Sequence, residues 1–241
     1  MKDVIILGAG VGSRLRPLTN DVPKLLVTVA GKTILDRALD VLDADSNVET
    51  ITVVLGYKSS SVREKLSGRS KVRLVYNHSF AQTNNMHSLH LALSTLSLKN
   101  DVVLMNGDCV YEPSVLKEAA SATGNHIFAD SAYPINDESM KIDIAETGAI
   151  SAIAKKLSFS GSPMVSIDLY AMDAATAKSF YHVIDGFQSK AIRDQWVEVA
   201  LDSLLKQPET VFTPKDINGR KWMEIDNHDD LEAANARFQA I

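Results

Sequence analysis

Cysteine is nearly missing. Cys109 is the only one in 241 residues, so no internal disulfide can form, as expected for a reducing compartment. Positive charge is not in excess either. Lys and Arg total 25 against 30 Asp and Glu, giving a formal net charge of -5. The basic residues are scattered, which leaves no electrostatic footprint for nucleic acid or an anionic membrane. Long apolar runs are absent too: nothing approaches the roughly 18 uninterrupted apolar residues of a membrane helix. The first such run, Val4 to Leu7, lacks the length and cleavage site of a signal peptide. A soluble cytoplasmic protein is expected, in which the glycosylation-like triplet Asn77-His78-Ser79 is idle. Repeats, low-complexity tracts and linker-like boundaries are also lacking.

What is present is enough apolar material, 45% of the chain, to bury a substantial core. Apolar runs of strand length alternate with helical patterns. Val4–Leu7, Thr50–Leu55, Val72–Tyr76, Val102–Met105 and His126–Ala129 read as strands. Thr33–Asp43, Ser60–Leu66, Met86–Leu96 and Pro113–Ala122 read as the intervening helices. That alternation predicts right-handed βαβ crossovers and a mostly parallel sheet, with ligands outside the carboxyl ends of its strands. The second half is richer in strand: Lys141–Ala145, Ile150–Ile153, Met164–Met172 and Trp222–Ile225, with helices over Ala174–Ile184, Gln195–Lys206 and Asp229–Phe238. The expected organisation is one α/β domain over 1–241. Residues 1–125 form a nucleotide half, and 126–241 hold a small β-rich insertion and the closing strand and helix.

Leu7-Gly8-Ala9-Gly10-Val11-Gly12-Ser13-Arg14-Leu15 follows the first strand directly. Glycines there let backbone amides approach phosphate oxygens, and an arginine adds charge-assisted bonds. Two familiar motifs do not fit. A dinucleotide fingerprint needs a third glycine where Ser13 stands, and an acid ending the next strand. Gly31-Lys32-Thr33 resembles the tail of a Walker A motif, but Leu26 occupies the position of the required glycine.

The longer pattern, Gly8 through Arg14-Leu15-Arg16-Pro17-Leu18-Thr19 and then Pro23-Lys24-Leu25-Leu26, resembles the signature of the sugar-phosphate and related nucleotidyltransferases. That resemblance implies a Rossmann-like, mostly parallel mixed sheet flanked by helices, and an NTP whose phosphates lie on the glycine loop. It implies that Arg14 holds the leaving pyrophosphate and Lys24 contacts the α-phosphate. It also implies Mg²⁺ ligation by Asp108, after Gly107 at a strand end, and by Asp226, in a late strand before the last helix. Asn227 or Asp229 is expected to cap that helix.

Gln82-Thr83-Asn84-Asn85-Met86-His87-Ser88-Leu89 resembles a stretch of the cytidylyltransferases that act on phosphocholine and related aminoalkyl phosphates or phosphonates. Asn84, Asn85 and Ser88 carry the donors and acceptors a cytosine edge requires, and Tyr57 could flank the base. The alternative is that Thr83 or Asn84 simply caps a helix. The chain length fits this branch, with no room for the β-helix of larger relatives.

For the acceptor, a period of two puts Trp222, Glu224 and Asp226 on one strand face and Ser166, Asp168 and Tyr170 on another. Asp130 and Tyr133 follow a strand end. Aromatic rings with carboxylates suit a choline-like or primary ammonium group, while Lys141 and Lys155 or Lys156 suit its phosphate. Trp196 is expected in the core. The expected activity is cytidylyl transfer from CTP to a small phosphorylated or phosphonylated acceptor such as phosphocholine or 2-aminoethylphosphonate, and a homodimer is compatible with it. Rival readings are a sugar-phosphate nucleotidyltransferase using another NTP, and a catalytically silent nucleotide sensor.

Overall fold

The computed structural model describes residues 1–239. Strand β1 (Lys2–Gly8) leads into a loop of three short 3-10 turns, then β2 (Thr28–Val29), β3 (Lys32–Thr33) and helix α1 (Ile34–Leu42). Next come β4 (Val48–Leu55), α2 (Ser59–Lys65), β5 (Val72–Tyr76), α3 (Asn85–Leu93), β6 (Asp101–Asn106), β7 (Cys109–Tyr111) and α4 (Pro113–Ser121). The second half contains β8 (His126–Asp130), β9 (Lys141–Ile144), β10 (Ile150–Ala154), β11 (Ser162–Met172) and α5 (Ala174–Ser189). It closes with α6 (Val197–Leu205), β12 (Thr213–Asp216), β13 (Trp222–Glu224) and α7 (His228–Phe238).

β1 is a continuous apolar run because both its faces are covered. It pairs in parallel with β4 on one side and β6 on the other, and β4 carries β5 at the sheet edge. Helices thus cover both faces of this part of the sheet. One layer packs Leu35, Leu39 and Leu42 of α1 and Leu116 of α4 against β1 and β4. The other packs Met86, Leu89 and Leu93 of α3 with Ile184 of α5 and Leu201 of α6. α1 starts where expected, because the Thr33 side chain accepts from the Asp36 amide at 3.0 Å as an N-cap.

β11 runs antiparallel to β6 and turns the sheet mixed. Beyond it lie β9 and β10, while β8 pairs with the other stretch of β11 and carries β12. A register shift in β11 between Ser166 and Tyr170 lets it serve both neighbours, as a bulge does. The predicted strands and helices are all present, with α5 reaching five residues beyond Ile184. The pairs β2–β3 and β7–β13 and the strand β12 are additions. No helix among the described residues is long and apolar enough to cross a membrane.

Candidate active site

The glycine loop leaves β1 at Gly8, where a Cβ would lie 2.2 Å from Leu25 Cδ1. The missing side chain therefore makes room for the Pro23-Lys24-Leu25 segment to pack under the loop. Gly12 has φ 65°, a left-handed conformation open to glycine at little cost, and its carbonyl accepts from Thr19 Oγ1 at 2.8 Å. The amides of Gly10, Val11 and Gly12 have no protein acceptor among the described residues, which leaves them available to an anion. Pro23 is extended and starts a 3-10 turn, Lys24–Leu26, that delivers Lys24 to the same place. Tyr57 does not face this site. Its hydroxyl donates to the Thr19 carbonyl at 3.0 Å, so it braces the loop from behind rather than flanking a base.

Asp108 and Asp226 meet because β7 and β13 pair antiparallel, Trp222 opposite Tyr111 and Glu224 opposite Cys109. Continuing that ladder, the Ile225 amide donates to the Asp108 carbonyl at 3.0 Å. A capping box then fixes Asp226 from the other side. Asn227 accepts from the Asp230 amide at 3.0 Å, and the Asp230 carboxylate accepts from the amides of Asn227 at 3.0 Å and Asp226 at 2.9 Å. Of the two expected caps, Asn227 fills the role.

Lys24 Nζ lies between these carboxylates, 2.9 Å from Asp108 Oδ2 and 2.8 Å from Asp226 Oδ1, and an Arg14 guanidinium nitrogen is 2.7 Å from Asp226 Oδ2. Glu224, expected beside the acceptor, joins them: Asp108, Glu224 and Asp226 each place an oxygen within 4.8 Å of the others. Burial alone would lower the Lys24 pKa, but the charges of Asp108 and then Asp226 outweigh it and hold the ammonium above its ordinary value. Glu224 opens to the cavities but has protein close around it; the resulting desolvation, then the charges of Asp108 and Asp226, push its carboxyl up to about 8. For Asp226, desolvation is outweighed by Lys24, which keeps the carboxyl below its usual range. Clustered carboxylate oxygens are the hard donors that Mg²⁺ accepts, one or two at a time alongside phosphate oxygens.

Two cavities open on this charged junction. The first, about 340 Å³, runs from Leu7, Ala9 and Gly10 past Asp108 and Asp226 to the start of α3, where Asn84, Asn85 and Ser88 line it. Gly12 and Ser13 line a small cleft beside Arg14, Lys24 and Asp226. The second, about 220 Å³, lies between Tyr133, Trp222 and Lys155 and shares Asp168, Glu224 and Asp226 with the first.

The α3 start is strongly organised. Asn84 caps the helix by accepting from the Asn85 amide at 2.8 Å, and the Asn85 side-chain Oδ1 accepts from the Val197 amide at 2.9 Å. Ser88 Oγ accepts from Asn77 Nδ2 at 3.0 Å, which also reaches Thr83 Oγ1 at 3.0 Å. The capping alternative therefore holds for Asn84, although its side chain also lines the cavity.

Three expected acceptor residues line neither cavity. Lys141 donates to the carbonyls of Ser139 and Lys155, so it ties two strand ends together instead of facing a phosphate. Asp130 is spent on the Trp222 indole N–H at 3.0 Å and the amides of Ala132 and Gly219, each at 3.0 Å. Tyr170 is fully buried and donates to Glu198 Oε1 at 2.7 Å.

Trp196 was expected in the core and is not there. It caps the start of α6, stands 44% exposed and lines the first cavity, with Lys155 Nζ 5.2 Å over its ring. Its place before an apolar helix looked like helix interior, and no periodicity separates an N-cap from the turn that follows. Glu198, Glu138 and Asn77 also line the first cavity and carried no motif.

A glycine loop with unpaired amides, a lysine bridging two strand-end carboxylates and two cavities thus meet in one place on the α/β fold. The chain belongs to the nucleotidyl transferase family, which it matches over residues 3–240, as its motif suggested. It is 28% identical over 97% of its length to a CMP-5'-(3-aminopropyl)phosphonate synthase of Streptomyces rubellomurinus. It is 25% identical to the choline-phosphate cytidylyltransferase of Streptococcus pneumoniae, covering 94% of this chain and 93% of that one. The chain spans 38% of the Streptomyces protein and 51% of a bifunctional IPC transferase and DIPP synthase of Aquifex aeolicus. The solved CTP:phosphocholine cytidylyltransferase of S. pneumoniae superposes with a TM-score of 0.83 at 22% identity, covering 98% of both chains. That likeness establishes the shared Rossmann-like fold.

Proposed function

We propose that the chain transfers CMP from CTP to a small phosphorylated or phosphonylated acceptor and releases pyrophosphate. The observation that carries this reading is Lys24, held 2.8–2.9 Å from both Asp108 and Asp226 where the two cavities meet. The nucleotide fits the first cavity, with its phosphates on the free amides of Gly10 to Gly12. The acceptor fits the second, against Lys155, Tyr133 and Trp222. In this arrangement residues 1–125 supply the phosphate loop and most of the base site. The insertion and closing strand within 126–241 supply the acceptor wall.

The reaction forms a bond between an acceptor oxygen and the α-phosphorus and breaks the bond to the β-phosphate oxygen. A phosphomonoester, with a second pKa of about 6, is mostly dianionic near neutrality, so no residue has to remove a proton. The obstacle is repulsion between polyanions. Lys24 opposes it at the α-phosphate and Arg14 at the departing pyrophosphate, and the rest is alignment. Asp108 and Asp226, with Glu224 beside them, would hold Mg²⁺, which when bound supplies further positive charge at the α-phosphate.

For the base, the Asn84 amide and the Ser88 and Thr83 hydroxyls stand at the far end of the first cavity. Between them they offer donors for the cytosine O2 and N3 and acceptors for its amino group. The names of the two relatives above favour CTP in the same direction. The test is a panel of four NTPs crossed with phosphorylated amines, polyols and sugar phosphates, read by pyrophosphate release. CTP with a small non-sugar acceptor is the expected pair. A sugar phosphate with UTP or dTTP would replace this reading with its rival.

A further inference from the structure

We infer that Asp168, backed by Glu198, forms a seat for a primary ammonium group, so that the acceptor is an aminoalkyl phosphate or phosphonate and not a quaternary amine. This rests on the reading above and narrows its substrate class. Asp168 lines both cavities and Glu198 the first. Both are more than nine-tenths buried, at 9% and 4% exposure. Of the other acids of these walls, Asp108 and Asp226 have Lys24 and Arg14, and Glu138 has Lys155 at 3.4 Å. Glu224 and Asp230 form no ion pair among the described residues, and Glu224 adds a further unpaired acid beside Asp168. Asp168 and Glu198 form no ion pair among the described residues.

Donor counting sharpens the point. The one polar group between them is the Tyr170 hydroxyl, 2.7 Å from Glu198 Oε1 and 3.3 Å from Asp168 Oδ1. It has a single proton, and the shorter contact takes it. Beyond that longer contact only the Asn106 side chain reaches the Asp168 carboxylate among the described residues. Burial, then the charges of Glu224 and Glu198, hold its carboxyl well above the ordinary value, so its ionised form is costly unless a cation arrives. The backbone makes the placement deliberate. Asp168 sits at the β11 bulge with φ 57°, a conformation unfavourable for a residue with a Cβ.

A primary ammonium brings three N–H donors and a compact charge. A trimethylammonium brings none and needs open aromatic faces instead. The aromatic pair here offers little of that. Trp222 is only 5% exposed, its ring lies 5.0 Å from that of Tyr133, and its N–H is spent on Asp130. Trp196 is open to the first cavity, but Lys155 Nζ already stands 5.2 Å over its ring. The wall favours hydrogen bonding over an aromatic cage.

The experiment measures kcat/KM by pyrophosphate release with phosphoethanolamine, phosphocholine and glycerol 3-phosphate as matched acceptors. Phosphoethanolamine is expected to exceed phosphocholine by about 100-fold, the range in which losing hydrogen bonds to a buried charge falls. Asp168→Asn, nearly the same shape, is expected to lower the ratio of phosphoethanolamine to glycerol 3-phosphate by about tenfold, chiefly through KM. Glu198→Gln, checked by melting temperature, should move that ratio in the same direction. Phosphocholine used as well as phosphoethanolamine, or an Asp168→Asn loss equal for all three acceptors, overturns the seat. If another NTP proves to be the donor, the cytidylyl reading fails, while the same headgroup ratio measured with that NTP still decides this one. Turnover of none of the three with any NTP overturns both.

Discussion

Lys24→Met keeps the length of the side chain and deletes its charge, and the structure fixes what should follow in two assays that move in opposite directions. The ammonium lies 2.9 and 2.8 Å from two carboxylates that are only about a quarter exposed, 26% and 24%. A dication entering among Asp108, Glu224 and Asp226 meets that positive charge at about 4 Å, a repulsion of about 2 kcal/mol even at the dielectric constant of water. Removing it should tighten binding of Mg²⁺ alone by about 30-fold, measured by calorimetric titration without nucleotide. Turnover should fall about 1,000-fold, since one preorganised charge aimed at the reacting phosphate is lost. The lysine is held above its ordinary pKa, so the wild-type rate should show no limb from its titration at or below pH 9. Turnover within about tenfold of wild type, or Mg²⁺ affinity left unchanged, refutes the placement of Lys24 as the cation shared by both carboxylates.

Asp108→Asn should leave the fold intact by circular dichroism yet cost at least about 100-fold in turnover, because the α-phosphate site loses a charged ligand. Gly8→Ala should destabilise the protein by about 2 kcal/mol in urea unfolding, as the new methyl would displace Leu25 and with it the Lys24 turn. Away from the site, Asp143 accepts from Ser160 Oγ at 2.7 Å and from the amides of Ser160 and Gly161, each at 3.0 Å. The Ser160 hydroxyl and amide hold its carboxyl below the usual range. Its contribution is therefore present above the ordinary carboxylate pKa and lost as pH falls through the lowered one. Asp143→Ala should cost about 2 kcal/mol at pH 7, and the gap from wild type should close as unfolding is followed down through pH 4 to 2. A gap constant with pH would assign the loss to packing.

The parts of this fold that sequence reveals are those whose signal is long or chemically peculiar. β1 and β6 hold unbroken apolar runs because both faces are covered, β4 is rich in β-branched residues, and α1 shows a helical apolar spacing after a threonine cap. The glycine motif is legible for another reason: Gly8 and Gly12 meet steric demands that almost no other residue satisfies. Three residues are too few to show a period, so β7 is silent; β13 is legible as the strand Trp222–Ile225, but its pairing with β7, which brings Asp108 to Asp226, is not. β12 contains Pro214 and pairs only with β8, a place where proline is tolerated and propensity argues against a strand. Lys141, Asp130 and Tyr170 look functional as strand polar residues. Their partners are carbonyls, amides and a carboxylate contributed by distant segments, which alternation cannot reveal.

The same contrast explains why the nucleotide side of the site is easier to read than the acceptor side. Phosphate is bound by backbone amides and a few fixed cations, so its recognition is written in glycines, an arginine and a lysine at set spacing. The acceptor headgroup, in the function proposed above, meets side chains gathered from β11, α6 and β13, each placed by a local irregularity. Asp168 depends on a bulge, Trp196 and Glu198 on the first turn of α6, and Trp222 on a hydrogen bond to Asp130. Asn85 links the two sides, since it lines the first cavity while its side-chain Oδ1 holds the Val197 amide at the start of α6. A change of headgroup specificity can thus occur at the bulge or the α6 start without disturbing Lys24 and its two carboxylates. That independence allows one family to keep its phosphate chemistry while the identity of the acceptor changes.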